Sequence, residues 1–294
     1  MASNYYICIV AWFNSTVKMR FLSKKGILYI VFAAISVAAS AQDYVRPTPQ
    51  TSFGDDPYNN NRTTPKNDYG RRRKFNISLA MGAAVPMGDF GSNNVKGSFW
   101  DFTSPDSTRL QGFAQTGFHF EISMSYMFND NFGIMAMLSG NSNSFDINTF
   151  SATVGYETST TDDYYTGEYL IGPCFTYPGG ESRFNVKGYA MIGAIETNYP
   201  ELNFAFNDTL SAVIDFNGGS GFGYCLGGGV SYAITPSTEI FFNVSYTSST
   251  ITYSSWTETY NSPGYYPYTF SHYTDVTSMK TGILKPVIGV NFRF

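Results

Sequence analysis

The chain has 294 residues, 18% of them aromatic and only 14% charged, with 28 glycines, 23 tyrosines and 26 phenylalanines. So few charges are unusual for a soluble enzyme but suit a wall half exposed to lipid. The formal charge of -4 argues against a nucleic-acid partner.

Residues 1–18 are read as an upstream extension. Met19 then opens "MRFLSKKGILYIVFAAISVAASAQD", in which Arg20, Lys24 and Lys25 precede the apolar run 27–39, and Ala39-Ser40-Ala41 supplies a small-x-small cleavage site. Residues 19–41 are therefore expected to be a cleaved signal peptide, the run being shorter than the ~20 residues of a spanning helix. Cleavage removes four basic residues (Lys18, Arg20, Lys24, Lys25) and no acid, leaving 14 basic against 22 acidic residues, a charge of -8. Residues 42–74 are rich in Pro, Asn and Asp, lack apolar periodicity and close on the basic run Arg71–Lys74. They are expected to form a disordered periplasmic segment.

From Phe75 the period becomes two. In "FHFEISMSYMF", Phe118, Phe120, Ile122, Met124, Tyr126 and Phe128 share one face, and His119, Glu121, Ser123 and Ser125 the other. The same reading gives eight strands, at about 75–85, 113–128, 132–146, 164–177, 183–198, 219–235, 239–255 and 280–294. Their connections alternate: 129–131, 178–182 and 235–238 are short, while 86–112, 147–163, 199–218 and 256–279 are long. No stretch after position 41 is apolar enough for a membrane helix, so a spanning structure has to be a closed barrel with short turns at the periplasmic end and long loops outside. The expected fold is all-β, an eight-stranded antiparallel up-and-down transmembrane barrel over 75–294.

With this organisation the chain resembles the eight-stranded outer-membrane β-barrels of Gram-negative bacteria, the OmpA transmembrane-domain and OmpX-like proteins. "GAAVPMGDF", residues 82–90, is similar to the end of their first strand, and the closing "NFRF" to their C-terminal assembly signal. The resemblance implies an outer-membrane location, surrounding lipid as a partner, and a membrane-insertion signal at Val290, Phe292 and Phe294 read by the barrel-assembly machinery.

Candidate chemistry lies on the polar, inward face. Glu121, Glu168 and Lys285 come out at similar heights, with Lys187 lower, and are expected to form an ion network in the lumen, because an unpaired buried charge costs several kcal/mol. Such a network either fills and stiffens the barrel or gates a small ion-conducting pore. Outside, the 256–279 loop carries Trp256, Tyr260, Tyr265, Tyr266 and Tyr268 with few charges, a composition suited to contact with host or phage surface molecules. Those aromatics alternatively pack on one another.

No enzyme, metal or cofactor is expected. The mature chain has two histidines, His119 pointing inward and His272 in the last loop, where Ser271 and Asp275 flank it without an imposed geometry. A lipid-modifying outer-membrane enzyme is the least favoured reading. Cys174 and Cys225 point inward two strands apart, about 9–10 Å, and are expected to be free thiols. The glycines of "GFGYCLGGG", 221–229, make room in a narrow barrel rather than cradle a nucleotide. The expected role is structural, or surface interaction through long loops, by a monomer.

Overall fold

The computed structural model describes residues 74–101, 108–178, 183–207, 210–273 and 277–294. The upstream extension, the signal peptide, the periplasmic segment as far as residue 73, and Asp275 lie outside the described residues. The strands are β1 (Phe75–Met87), β2 (Gly117–Met127), β3 (Phe132–Asn143), β4 (Glu157–Ser159), β5 (Tyr164–Pro178), β6 (Phe184–Thr197), β7 (Leu202–Asn207), β8 (Leu210–Phe216), β9 (Gly219–Thr235), β10 (Thr238–Tyr253), β11 (Trp256–Asn261), β12 (Tyr268–His272) and β13 (Thr277–Arg293). Among the described residues one α-helix, α1, spans Ile147–Val154, and a 3-10 turn spans Gly88–Gly91.

Eight of the strands close into an antiparallel barrel in the order β1-β13-β10-β9-β6-β5-β3-β2. Sequence neighbours pair by tight turns. After β2, the Asn129 carboxamide accepts from the backbone N–H groups of Asn131 (2.9 Å) and Phe132 (2.8 Å), an Asx turn that reverses the chain without needing glycine. The barrel closes where the C-terminal strand meets the first, in register from Asn76 opposite Arg293 to Met87 opposite Gly282. Phe294 completes that seam, its N–H donating to the Phe75 carbonyl at 2.8 Å. No backbone edge is then left in the barrel for lipid to meet.

The alternation predicted from sequence sorts side chains between lipid and lumen. Met81, Met124, Leu138, Ile171, Ile192, Leu226 and Ile288 are exposed on the outside, and Phe128, Phe132, Tyr177 and Phe184 ring the end that carries the tight turns. Inward lie His119, Glu121, Glu168, Lys285 and Asn291, all buried. An apolar exterior around a polar interior is the inverse of a soluble barrel and marks a wall that faces lipid.

One expectation is corrected. Three of the four long connections are more than loops: β4, β7, β8, β11 and β12 form a second, five-stranded sheet in the order β12-β11-β8-β7-β4 above the barrel. These strands are short and come from three different connections. Their pairing is therefore set by contacts between loops, which a period-two scan along one segment does not register.

Beneath this crown, Trp100, Phe113, Phe145, Phe150, Tyr164, Tyr199, Phe204, Phe216, Tyr253 and Trp256 form one buried cluster with Phe90, Leu110, Met279 and Ile283. Trp100 sits at its centre. Its ring lies 5.2 Å from Phe150 and 6.0 Å from Phe204 and Phe216, and its indole N–H donates to the Tyr199 hydroxyl at 3.1 Å. That hydroxyl donates onward to the Gln111 carbonyl at 2.8 Å, so the polar tips of Trp100 and Tyr199 are satisfied inside this apolar plug.

Candidate functional site

The polar lumen resolves into two clusters. In the middle of the barrel, Lys285 of β13 donates to Glu168 of β5 at 2.5 Å, both side chains fully buried. These strands lie four apart whichever way the eight-stranded ring is followed, so the pair crosses the bore. Glu168 also accepts from Ser139 (2.9 Å) and Asn141 (3.0 Å). The Asn141 carboxamide oxygen then faces His119 Nδ1 at 2.6 Å, and His119 Nε2 lies 3.1 Å from Glu121. Asn141 thus links a Lys–Glu pair to a His–Glu pair, and the sequence reading had not singled it out. Its signal was its inward parity beside Ser139.

The second cluster lies toward the periplasmic end and is organised by Glu239, which the sequence reading missed. Its carboxylate accepts from Lys187 (2.9 Å), Asn185 (2.7 Å), Asn291 (2.9 Å) and Arg293. Lys187 therefore does not join Glu121, Glu168 and Lys285, contrary to the single network expected. It sits beside the turn-end of the barrel because β6 rises from that end and Lys187 is only its fourth residue. Glu239 is the second residue of β10, just after a turn, where a charge reads as an ordinary surface residue; a register irregularity at Thr238/Glu239 accompanies its place in the lumen.

Narrow bores need small residues where larger ones cross. A Cβ on Gly227 would come within 2.5 Å of the Tyr189 ring, and one on Gly229 within 2.0 Å of the Phe242 carbonyl oxygen. The glycine run therefore seats inward side chains from neighbouring strands. Cys174 and Cys225 are both buried free thiols.

The aromatic positions of the last connection divide. Trp256 is corrected: it is 6% exposed, stacked on the His272 ring (3.8 Å between centroids, 5° between planes) and part of the crown's core. As the first residue of β11 it pairs with Phe216 of β8, and so points into the sheet's packed side. Tyr260 is partly buried, whereas Tyr265, Tyr266 and Tyr268 are 79%, 97% and 62% exposed on the β11–β12 hairpin. His272 lies 3.8 Å from Glu258. Val290 and Phe292 are half-buried on the outward side of the closing strand, with Phe294 at its end.

Charge in the crown is tied to its architecture. Asp146 caps α1, accepting from the Thr149 N–H at 3.1 Å and hydroxyl at 2.8 Å; burial pushes its carboxyl up, but these bonds and one from Gln115 hold it below the ordinary range. Asp215 on β8, exposed on the crown's surface, moves the other way, raised by partial desolvation and then by Glu201 and Asp162. A carboxyl raised on folding contributes stability that is complete below its unfolded value and is lost as pH rises through its folded value. Asp215→Asn is therefore expected to make the crown more resistant to protease than wild type at pH 7. The advantage should disappear toward pH 4, and an advantage that grows on acidification would contradict this sign.

No protein-family model matches the chain, and no curated protein does. Solved structures do. Neisserial surface protein A is 14% identical, with 75% of this chain and 97% of that one covered at a TM-score of 0.41. The attachment invasion locus protein Ail of Yersinia pestis is 15% identical over 76% and 99%, at 0.37. The outer membrane protease OmpT of Escherichia coli is 9% identical over 75% and 97%, at 0.42. The class follows from the chain's own closed ring, apolar exterior and polar bore: it is an eight-stranded transmembrane β-barrel of the outer-membrane type.

Proposed function

We propose that the protein is a non-conducting, non-enzymatic outer-membrane barrel that holds a folded crown outside the cell for contact with another surface. The observation that carries this reading is the division of aromatic residues. One set, centred on Trp100, is spent inside the crown as its core, while Tyr265, Tyr266 and Tyr268 are left exposed on a hairpin projecting from it. Tyrosine offers large contact area at low entropic cost, and a packed sheet behind it limits the ordering a partner must impose. The occupied lumen supports the same reading: the Lys285–Glu168 pair crosses the bore and the aromatic plug lies above it. Both histidines have other roles, His119 between Glu121 and Asn141 and His272 stacked on Trp256.

The partners fitting this surface are host or phage surface molecules, with outer-membrane lipid around the monomeric barrel. Val290, Phe292 and Phe294, outward on the closing strand, serve the assembly machinery during insertion. The test is adhesion or phage adsorption by bacteria displaying wild type or the triple variant Tyr265→Ser, Tyr266→Ser, Tyr268→Ser, matched for surface amount. Loss in the variant is expected; adhesion and adsorption equal to wild type would overturn the contact role.

A further inference from the structure

Sulfur side chains from three strands meet at the periplasmic end of the lumen, where the contact role uses none of them. Met127 ends β2, Cys174 stands near the end of β5, and Gly133 of β3 pairs with Met127 on one side and Cys174 on the other. Having no side chain, Gly133 leaves the space above it to its two neighbours: a Cβ there would come within 2.8 Å of the Met127 sulfur. The Cys174 thiol donates to that sulfur at 3.9 Å, and both residues are buried. Met135, two residues on from Gly133 and so on the same inward face, brings a third sulfur.

Met127, Met135 and Cys174 line one cavity of about 60 Å³. That is room for a metal ion and a water bound to it. The cavity also has an unmet polar atom in its wall. The carboxamide oxygen of Asn243, a residue only 7% exposed, has no hydrogen-bond partner among the described residues. Buried polar groups are normally satisfied, so the contents of the cavity complete its bonding, and a water carried by an ion can donate to it.

The donors select the ion. Among the described residues no three or more His, Cys, Asp or Glu side chains are grouped to hold a metal, so hard and borderline ions lack their usual ligand sets. One thiolate with thioethers is a soft set, which suits Cu(I) and its redox-inert counterpart Ag(I). Metal–sulfur bonds of about 2.3 Å meeting at about 120° put two sulfurs about 4 Å apart, close to the spacing that Cys174 and Met127 already have. The unbranched side chain of Met135 has the torsional freedom to complete the set. Uptake exchanges one proton for one ion: the Cys174 thiol loses its proton to water, its sulfur bonds the metal, and the thioethers donate lone pairs without change of charge. The thiolate–metal unit is neutral, so it adds no unpaired charge to the lumen and leaves the pairings of Glu239 intact.

We propose that the vestibule binds one soft monovalent metal ion, Cu(I), at Cys174, Met127 and Met135, reached from the periplasmic side past the partly exposed Lys187 and Arg293. The assignment is independent of the crown and its tyrosines.

The experiment titrates residues 42–294, refolded in detergent and checked by the mobility difference between unboiled and boiled samples, with Cu(I) against a chromogenic Cu(I) chelator under anaerobic, reducing conditions. A parallel arm uses Ag(I). One ion per barrel is expected in both arms, with sulfur neighbours at about 2.3 Å in X-ray absorption. Cys174→Ser should weaken binding about 100-fold or more, and Met127→Leu or Met135→Leu, which keep side-chain volume, about tenfold. Cys225→Ser, at the other buried thiol, should leave the affinity unchanged. If Cys174→Ser does not fold, the methionine variants decide the matter. Absence of stoichiometric binding would overturn the site, as would loss of binding in Cys225→Ser. Affinity undiminished in both methionine variants would overturn it as capture by a thiol alone.

Discussion

Lys285→Met is expected to destabilise the barrel by about 3–5 kcal/mol, because it leaves Glu168 as a buried carboxylate without its counter-charge. Neither group reaches solvent, and the remaining donors to Glu168, Ser139, Asn141 and Thr247, are neutral. The measurement is urea unfolding of the refolded protein in detergent, read by the loss of the fast-migrating unboiled form. Replacing both partners, as Lys285→Met with Glu168→Gln, should recover most of the loss, since the penalty belongs to the orphaned charge rather than to the missing attraction. A single variant as stable as wild type would remove the ion pair from any account of how the lumen is held.

Trp100→Ala is expected to cost a similar amount, about 3–5 kcal/mol, but in a different place. The indole is 1% exposed and meets Phe99, Phe150, Tyr199, Phe204 and Phe216, so its removal opens a cavity where the first connection, α1 and the five-stranded sheet come together. The barrel below, held by its own ladders, should keep its heat-dependent gel mobility. The crown should become cleavable by protease at its connections. Loss of barrel mobility as well would mean that crown and barrel unfold as one unit.

These two sites were not equally legible in the sequence. Lys285 and Glu168 stand at inward positions on long strands with clear alternation, and parity alone sends both into the bore. Trp100 stands in a connection with no period, among Gly97, Ser98 and Asp101, where nothing local says that the ring is buried. Its partners come from residues 99 to 216, and only their assembly makes a core. The same difference explains Glu239 and Trp256. Each is among the first two residues of a strand, where so little alternation does not establish a face, and neighbouring strands decide it: Asn185, Asn291 and Arg293 draw in the carboxylate, Phe216 and His272 the indole. Tyr265 and Tyr266, at a Pro-Gly turn, follow the simpler rule that hairpin tips are exposed.

The central claim is a barrel whose bore is occupied from the Glu239 cluster, through the Lys285–Glu168 pair, to the aromatic plug under the crown. Single-channel recording across a planar bilayer, with residues 42–294 inserted and insertion verified, tests it most directly. The occupied lumen predicts no discrete conductance steps in wild type. Stable, uniform steps would contradict it, and would make Glu121, Glu168 and Lys285 the constriction of a small pore.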